Sequence, residues 1–194
     1  MAPRSRAALV LTGILMVPVL VVLAPAAEAG AAHVEVSGSA IKVNGKSMGI
    51  LKCVSYQPVP PGVSAAHGYR WAHHKGNYER DLGLLDRLGA NVVQVNTRAA
   101  AEPWELREFM DRALSRGMRT ILVVNGPNYE DPRSERAQRA FLGDVARAVD
   151  EYGDHPGLLM WQLGIEVDWS HRGSDRVDDW YLSLIHISEP TRPY

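Results

Sequence analysis

The sequence has little cysteine and almost no net charge. Cys53 is the only cysteine in 194 residues, which excludes an intrachain disulfide and zinc sites built on cysteine pairs. A formal net charge of −1 gives no basic surface for nucleic acid or for an acidic membrane. No glycine-rich phosphate-binding motif follows a predicted strand. We therefore expect a neutral partner and no nucleotide cofactor.

The amino terminus has the pattern of a secretory signal peptide. Two arginines in M-A-P-R-S-R precede an apolar run over 7–25, and Ala27 and Ala29 supply small residues for cleavage. An uncleaved membrane anchor is the alternative, because about 20 apolar residues suffice to span a bilayer. The pattern predicts that residues 1–29 are removed. The mature protein should be secreted or extracytoplasmic, without stable membrane association.

The carboxyl terminus has a different character. The string L-S-L-I-H-I-S-E-P-T-R at 182–192 resembles the translation of a transposase adapter used in DNA sequencing libraries. A real strand is the alternative, because L-S-L-I-H-I alternates apolar and polar residues. We expect 182–194 to be foreign to the protein and 30–181 to form one domain.

Strand and helix patterns alternate along the remaining chain. V-E-V and A-I-K-V flank S-G-S and predict a β-hairpin that ends at Asn44-Gly45. Three amphipathic helices ending at glycines are expected between the four apolar strand segments 49–56, 91–96, 120–125 and 158–163. This order predicts an α/β fold with a parallel sheet. We expect an incomplete (β/α)8 TIM barrel, its first four βα strands plus the hairpin, with an open doubly wound sheet as the alternative.

Polar residues follow the carboxyl ends of these strands. They are Tyr56 and Gln57, Asn96, Asn125, and Glu166. The carboxyl ends of parallel strands share one edge of a sheet, which is where such folds place their active sites. The sequence therefore predicts a ligand site at this edge, although loop capping would explain Asn125 equally well.

Four motifs carry a resemblance to a known family. They are V-N-G-K, L-K-C-V-S-Y-Q-P, D-L-G-L-L-D-R-L-G-A-N-V-V-Q-V and D-H-P-G-L-L-M-W-Q-L-G-I-E-V. Together they resemble the N-terminal half of the clan A retaining glycoside hydrolases, the cellulase- and β-galactosidase-like TIM-barrel enzymes. Those enzymes usually end strand four with Gly-Asn-Glu, where the glutamate is the general acid/base. By this resemblance, Glu166 is the catalytic residue.

The resemblance also implies substrate-binding positions. Ile165 stands where the family has an asparagine that hydrogen-bonds the sugar 2-hydroxyl, and Gln94 replaces a frequent arginine. Trp161 and Trp169 could form apolar walls. Trp71 could stack on a sugar ring, with packing as an equal alternative. The binding candidates besides Ile165 are Tyr56, Gln57, Trp71, Asn96, Asn125 and Trp169.

The resemblance implies an exported hydrolase that cleaves β-linked oligosaccharides or polysaccharides with retention, using neither metal nor cofactor. The family's nucleophile ends strand seven, and no aspartate after Glu166 occupies that position. This chain alone is therefore expected to be an inactive fragment. A β-glucan transglycosylase is one alternative, because Y-Q-P also occurs in such enzymes. A carbohydrate-binding pseudoenzyme is another, indicated by Ile165 and Gln94.

Overall fold

The computed structural model describes residues 30–63, 69–125 and 134–165. Its strands are β1 (Val34–Ser37), β2 (Ala40–Val43), β3 (Lys46–Ser47), β4 (Cys53–Ser55), β5 (Val92–Asn96), β6 (Arg119–Val124) and β7 (Leu158–Leu163). Its helices are α1 (Lys75–Leu88), α2 (Pro103–Leu114) and α3 (Glu135–Tyr152), with short 3-10 helices at Trp71–His73 and Thr97–Ala99. None of the helices in these ranges has both the length and the hydropathy required to cross a bilayer.

The first three strands form an antiparallel sheet in the order β1-β2-β3. Asn44 and Gly45 join β2 to β3 with positive φ angles of 50° and 76°. Two consecutive positive φ angles are what a tight two-residue turn requires, and Asn-Gly adopts them at little cost. The predicted hairpin is present. The sequence did not reveal β3, whose two residues are too few to show alternation.

The remaining strands form a parallel sheet in the order β4-β5-β6-β7. Each of α1, α2 and α3 connects one strand to the next, as the alternating pattern predicts. Gly89 ends α1 in the left-handed conformation, with φ 77°, which suits glycine at a helix terminus. The observed start of α1 differs from the predicted cap at Asn77, because His74 occupies the N-cap position.

The prediction of an incomplete TIM barrel is wrong. The antiparallel strands form a sheet of their own, and the four parallel strands form an open sheet with β4 and β7 at its edges within the described ranges. These ranges contain three connecting helices, so four complete βα units are not present in them. Alternating strands and helices fix parallel pairing, whereas barrel closure also requires a partner for each edge strand. The α/β class itself is correct.

The two faces of the parallel sheet pack against different layers. Val93, Val95, Leu122 and Val124 contact the helices and belong to the larger hydrophobic core. On the opposite face, Val92 packs with residues of the antiparallel sheet in a smaller core that also includes Val43, Leu159, Ile41, Ile121 and Met160. The antiparallel sheet thus covers the amino-terminal part of that face.

The D-H-P-G motif joins α2 to the beginning of β7. His155 is 2% exposed, and its Nε2 lies 3.1 Å from Oδ1 of Asp111 on α2. The Gly157 N–H donates to His155 Nδ1 at 2.9 Å, so the ring proton belongs on Nε2. Arg107 Nη1 donates to Asp154 Oδ1 at 2.7 Å. The motif that carried the family resemblance therefore has a structural role of its own.

Replacing His155 with glutamine should lower stability and flatten its pH dependence. Burial, the largest influence, lowers the pKa of His155 below 6.5, and the Asp111 carboxylate opposes this shift. The unfolded chain then binds the proton more readily than the folded protein does. The stability that neutral His155 contributes is therefore complete above pH 6.5 and falls as the pH drops towards the folded pKa. H155Q should remove this component. It should also lower the free energy of unfolding at pH 7.5 by about 1–3 kcal/mol, because the Gly157 N–H loses its acceptor.

Urea unfolding at pH 5.0, 6.0 and 7.5 measures both effects. His33→Gln, which changes a histidine with a 75% exposed side chain, is the matched control and should leave the wild-type pH dependence in place. An H155Q protein with the same pH dependence as the wild type would contradict this assignment.

Candidate functional site

The parallel sheet carries an unusual set of polar side chains on the face opposite the helices. The strand register places Ser55, Gln94, Ile121 and Met160 in one row across the sheet. Asn96, Val123 and Gln162 form the next row towards the carboxyl edge. We call the four polar members, Ser55, Gln94, Asn96 and Gln162, the amide patch. Side chains two residues apart on a strand share a face, so the pleat alone brings these groups together.

A hydrogen bond between Gln94 and Gln162 organises the amide patch. Nε2 of Gln94 donates to Oε1 of Gln162, although the residues lie on β5 and β7, with β6 between them. Nε2 of Gln162 also donates to the Gly164 carbonyl at 3.1 Å. In the register, Val123 lies between the strands that carry the two amides and is only 1% exposed. The pair therefore fixes two polar side chains across an apolar strand.

The amide patch begins where the smaller core ends, because Ile121 and Met160, in the same row as Ser55 and Gln94, pack against that core. Ser55 is exposed, and the side chains of Gln94 and Gln162 are half-buried. Ile165, just past the end of β7, is 45% exposed. Solvent therefore reaches Ser55 and, in part, Gln94 and Gln162 at this carboxyl edge. The ligand site itself stays a prediction.

Tyr56 and Trp71 lie on the other side of the sheet, inside the larger core. Their ring centroids are 4.8 Å apart, and both rings contact Phe109 on α2. Trp71 is 2% exposed, which leaves its faces no room for a sugar ring in this arrangement. The pleat explains the position of Tyr56, because it follows Ser55 and therefore points to the opposite, helix-facing side. In this arrangement Trp71 packs within the larger core.

The hydroxyl of Tyr56 has a specific partner within this core. It donates to Oδ2 of Asp81 on α1 at 3.0 Å. Burial, followed by the hydrogen bond to and the charge of Asp81, raises the pKa of Tyr56 far above its usual value. The neutral phenol is thus the stable form, and it ties the strand end to a helix.

The other predicted binding residues are dispersed along the carboxyl edge. Asn96 caps the short helix that follows β5, since its Oδ1 accepts from the Arg98 N–H at 2.8 Å. Asn125 follows β6 and has a buried Oδ1 without a hydrogen-bond partner. Gln57 is exposed. Of the predicted binding residues, Asn96 alone belongs to the amide patch.

A concavity lies at the same edge on the helix side. It has a volume of about 220 Å³ and lies between the Thr97–Ala99 helix, the end of β6 and α3. Asp144 in its wall pairs with Arg98 at 3.5 Å and with Arg147. The charges in this wall thus already neutralise one another, which distinguishes it from the uncharged amide patch.

Glu166 and Trp169, the predicted acid/base and wall residues, lie outside the described residues. Within the described ranges, no three histidine, cysteine, aspartate or glutamate side chains come together as a metal site would require. Sequence reasoning missed Ser55 and Gln162. A detectable signal was present, because Gln94 and Gln162 interrupt the apolar strands V-V-Q-V and M-W-Q-L with a polar residue.

Comparison with known proteins adds no family to this description. Neither the protein-family models nor the curated proteins gave a match to the chain.

Replacing Tyr56 with phenylalanine separates a packing role from a binding role. Y56F should lower the free energy of unfolding by about 1–2 kcal/mol, because the half-buried carboxylate of Asp81 loses a hydrogen-bond donor. Chemical denaturation measures the loss, and calorimetric titration with cellotriose should give the same affinity as the wild type. Weaker sugar binding at unchanged stability would place Tyr56 in the ligand site instead.

Proposed function

We propose that this chain belongs to an exported glycoside hydrolase that cleaves β-linked glycans with retention of configuration. The observation that carries the proposal is the Gln94–Gln162 pair at the carboxyl edge of the parallel sheet. Gln162 is four residues before Glu166, and its amide donates to the intervening Gly164 carbonyl. Sugar-binding amides and a carboxylic acid thus belong to the same stretch of chain.

The chemistry assigns Glu166 the role of general acid/base. Retaining hydrolysis requires one carboxylic acid to protonate the leaving glycosidic oxygen. A second carboxylate, about 5–5.5 Å away, attacks the anomeric carbon. After the glycosyl-enzyme intermediate forms, the first group removes a proton from the attacking water. By the resemblance, the second carboxylate ends a seventh strand, whereas the described residues contain four parallel strands. We therefore expect the described part of the chain to bind glycans without hydrolysing them.

A carbohydrate-binding pseudoenzyme is the second candidate, and Ile165 is the observation that favours it. Its side chain is 45% exposed beside the residue that we assign as the acid. The family's asparagine donates a hydrogen bond to the sugar 2-hydroxyl that strengthens in the transition state. Isoleucine has no donor, so a protein with isoleucine here would keep sugar contacts while losing stabilisation of the transition state.

Replacing Glu166 with glutamine in the complete hydrolase tests the proposal. E166Q should reduce kcat/KM for an unactivated β-linked trisaccharide by about 10²–10⁴-fold, because the leaving oxygen is no longer protonated. The loss should be much smaller for a 2,4-dinitrophenyl β-glycoside, whose leaving group departs without a proton. Reducing-sugar release and phenolate absorbance measure the two rates.

Glu135→Gln provides the matched control, because the side chain of Glu135 is 82% exposed on α3. It should leave both rates at their wild-type values. Equal losses on both substrates in E166Q would contradict the acid/base role. Absence of hydrolysis by the complete wild-type protein, together with retained glycan binding, would support the pseudoenzyme.

A further inference from the structure

We propose that the Gln94–Gln162 pair makes the ligand site selective for uncharged sugar units and rejects sugars that carry a carboxylate. This inference rests on the proposed function for the nature of the ligand. It adds a specificity role for two residues that lie on the strands rather than on the loops after them.

The hydrogen-bonding capacity that remains on the pair fits hydroxyl groups. One N–H of Gln94 goes to Gln162, and one N–H of Gln162 goes to the Gly164 carbonyl. A primary amide has two N–H donors and an oxygen with two lone pairs. Each side chain therefore keeps one donor, and the two amide oxygens keep free lone pairs. Neighbouring sugar hydroxyls both donate and accept, so they can use both kinds of group.

A carboxylate fits the same surface poorly. It only accepts hydrogen bonds, so it can use the two remaining N–H donors but leaves the free lone pairs of the amide oxygens without a donor. Among the described residues, the two rows that contain the pair hold no charged side chain. Their members are Ser55, Gln94, Ile121, Met160, Asn96, Val123 and Gln162. Removing a carboxylate from water without a cationic partner carries a large penalty. The rows therefore favour a neutral ring over its uronate counterpart.

Arginine at position 94 should reverse this preference. A guanidinium group has five N–H donors and a permanent positive charge, and it binds carboxylates in a bidentate geometry. It has no acceptor for a sugar hydroxyl. A single substitution therefore exchanges a neutral surface that donates and accepts for a cationic surface that only donates.

Two probes that differ at one carbon give the test. Methyl β-D-glucopyranoside and methyl β-D-glucopyranosiduronate share the ring and differ in the hydroxymethyl or carboxylate group. The full chain, labelled with ¹⁵N, is titrated with each probe at constant ionic strength, and the Kd is taken from the saturating shifts. The wild type should bind the glucoside at least ten-fold more tightly than the uronate. Gln94→Arg should bring the two Kd values to parity or invert their order.

Gln162→Arg introduces the same group from β7 and should also bind the uronate more tightly than the glucoside. The ¹⁵N spectra report whether each variant keeps the fold. Ala146→Arg, at an exposed position of α3, adds the same charge elsewhere and should leave the wild-type preference. The inference is overturned if the wild type binds both probes with equal affinity. It is also overturned if folded Gln94→Arg and Gln162→Arg keep the wild-type preference. In both cases the proposed function stands. Failure of the wild type to bind either probe overturns both.

Discussion

The pleat of the four parallel strands is the constraint on which the rest of the structure depends. Successive side chains point to opposite faces, so each strand must satisfy two environments. Val93, Val95, Leu122 and Val124 meet the helices. Their neighbours in the sequence face the antiparallel sheet near the amino ends and include the amide patch near the carboxyl ends. Shifting one strand by one residue would bury Gln94 among the helices and expose the core valines.

The helices hold this arrangement through contacts at both ends of the sheet. The aromatic rings of Tyr56, Trp71 and Phe109 join the end of β4 to α2. At the opposite end, His155 connects the start of β7 to α2 through Asp111. Burial keeps His155 neutral by lowering its pKa, so this joint is specified by hydrogen bonds rather than by an ion pair. With its helix-facing side held at both ends, the sheet can present polar side chains on its other face.

Local structure was largely predictable from the sequence, whereas longer-range geometry was not. Apolar periodicity located the four strands and three helices, because the periods of 2 and 3.6 residues are properties of each segment. Whether the sheet closes depends on edge partners that no local pattern encodes, and the barrel prediction failed there. Its place after a strand predicts that Tyr56 lies at the ligand edge. The alternation counted from Ser55 places it in the core instead. The apolar pattern of β7 includes Gln162, although a polar residue in such a strand indicates an unusual face.

We propose that the amide patch is the surface that contacts the sugar and that Glu166 is the acid that acts on it. The uncharged character of the amide patch differs from the paired charges of the helix-side concavity. The most direct test of this claim is the rate at which a thiol at the exposed position 55 reacts with a maleimide. The protein for this test carries Ser55→Cys and Cys53→Ser. Saturating β-linked gluco-oligosaccharides should slow the reaction several-fold, while Leu88→Cys in the same Cys53→Ser background, at a 71% exposed position on α1, should react at an unchanged rate. An unchanged rate at position 55 under saturating sugar would contradict the account.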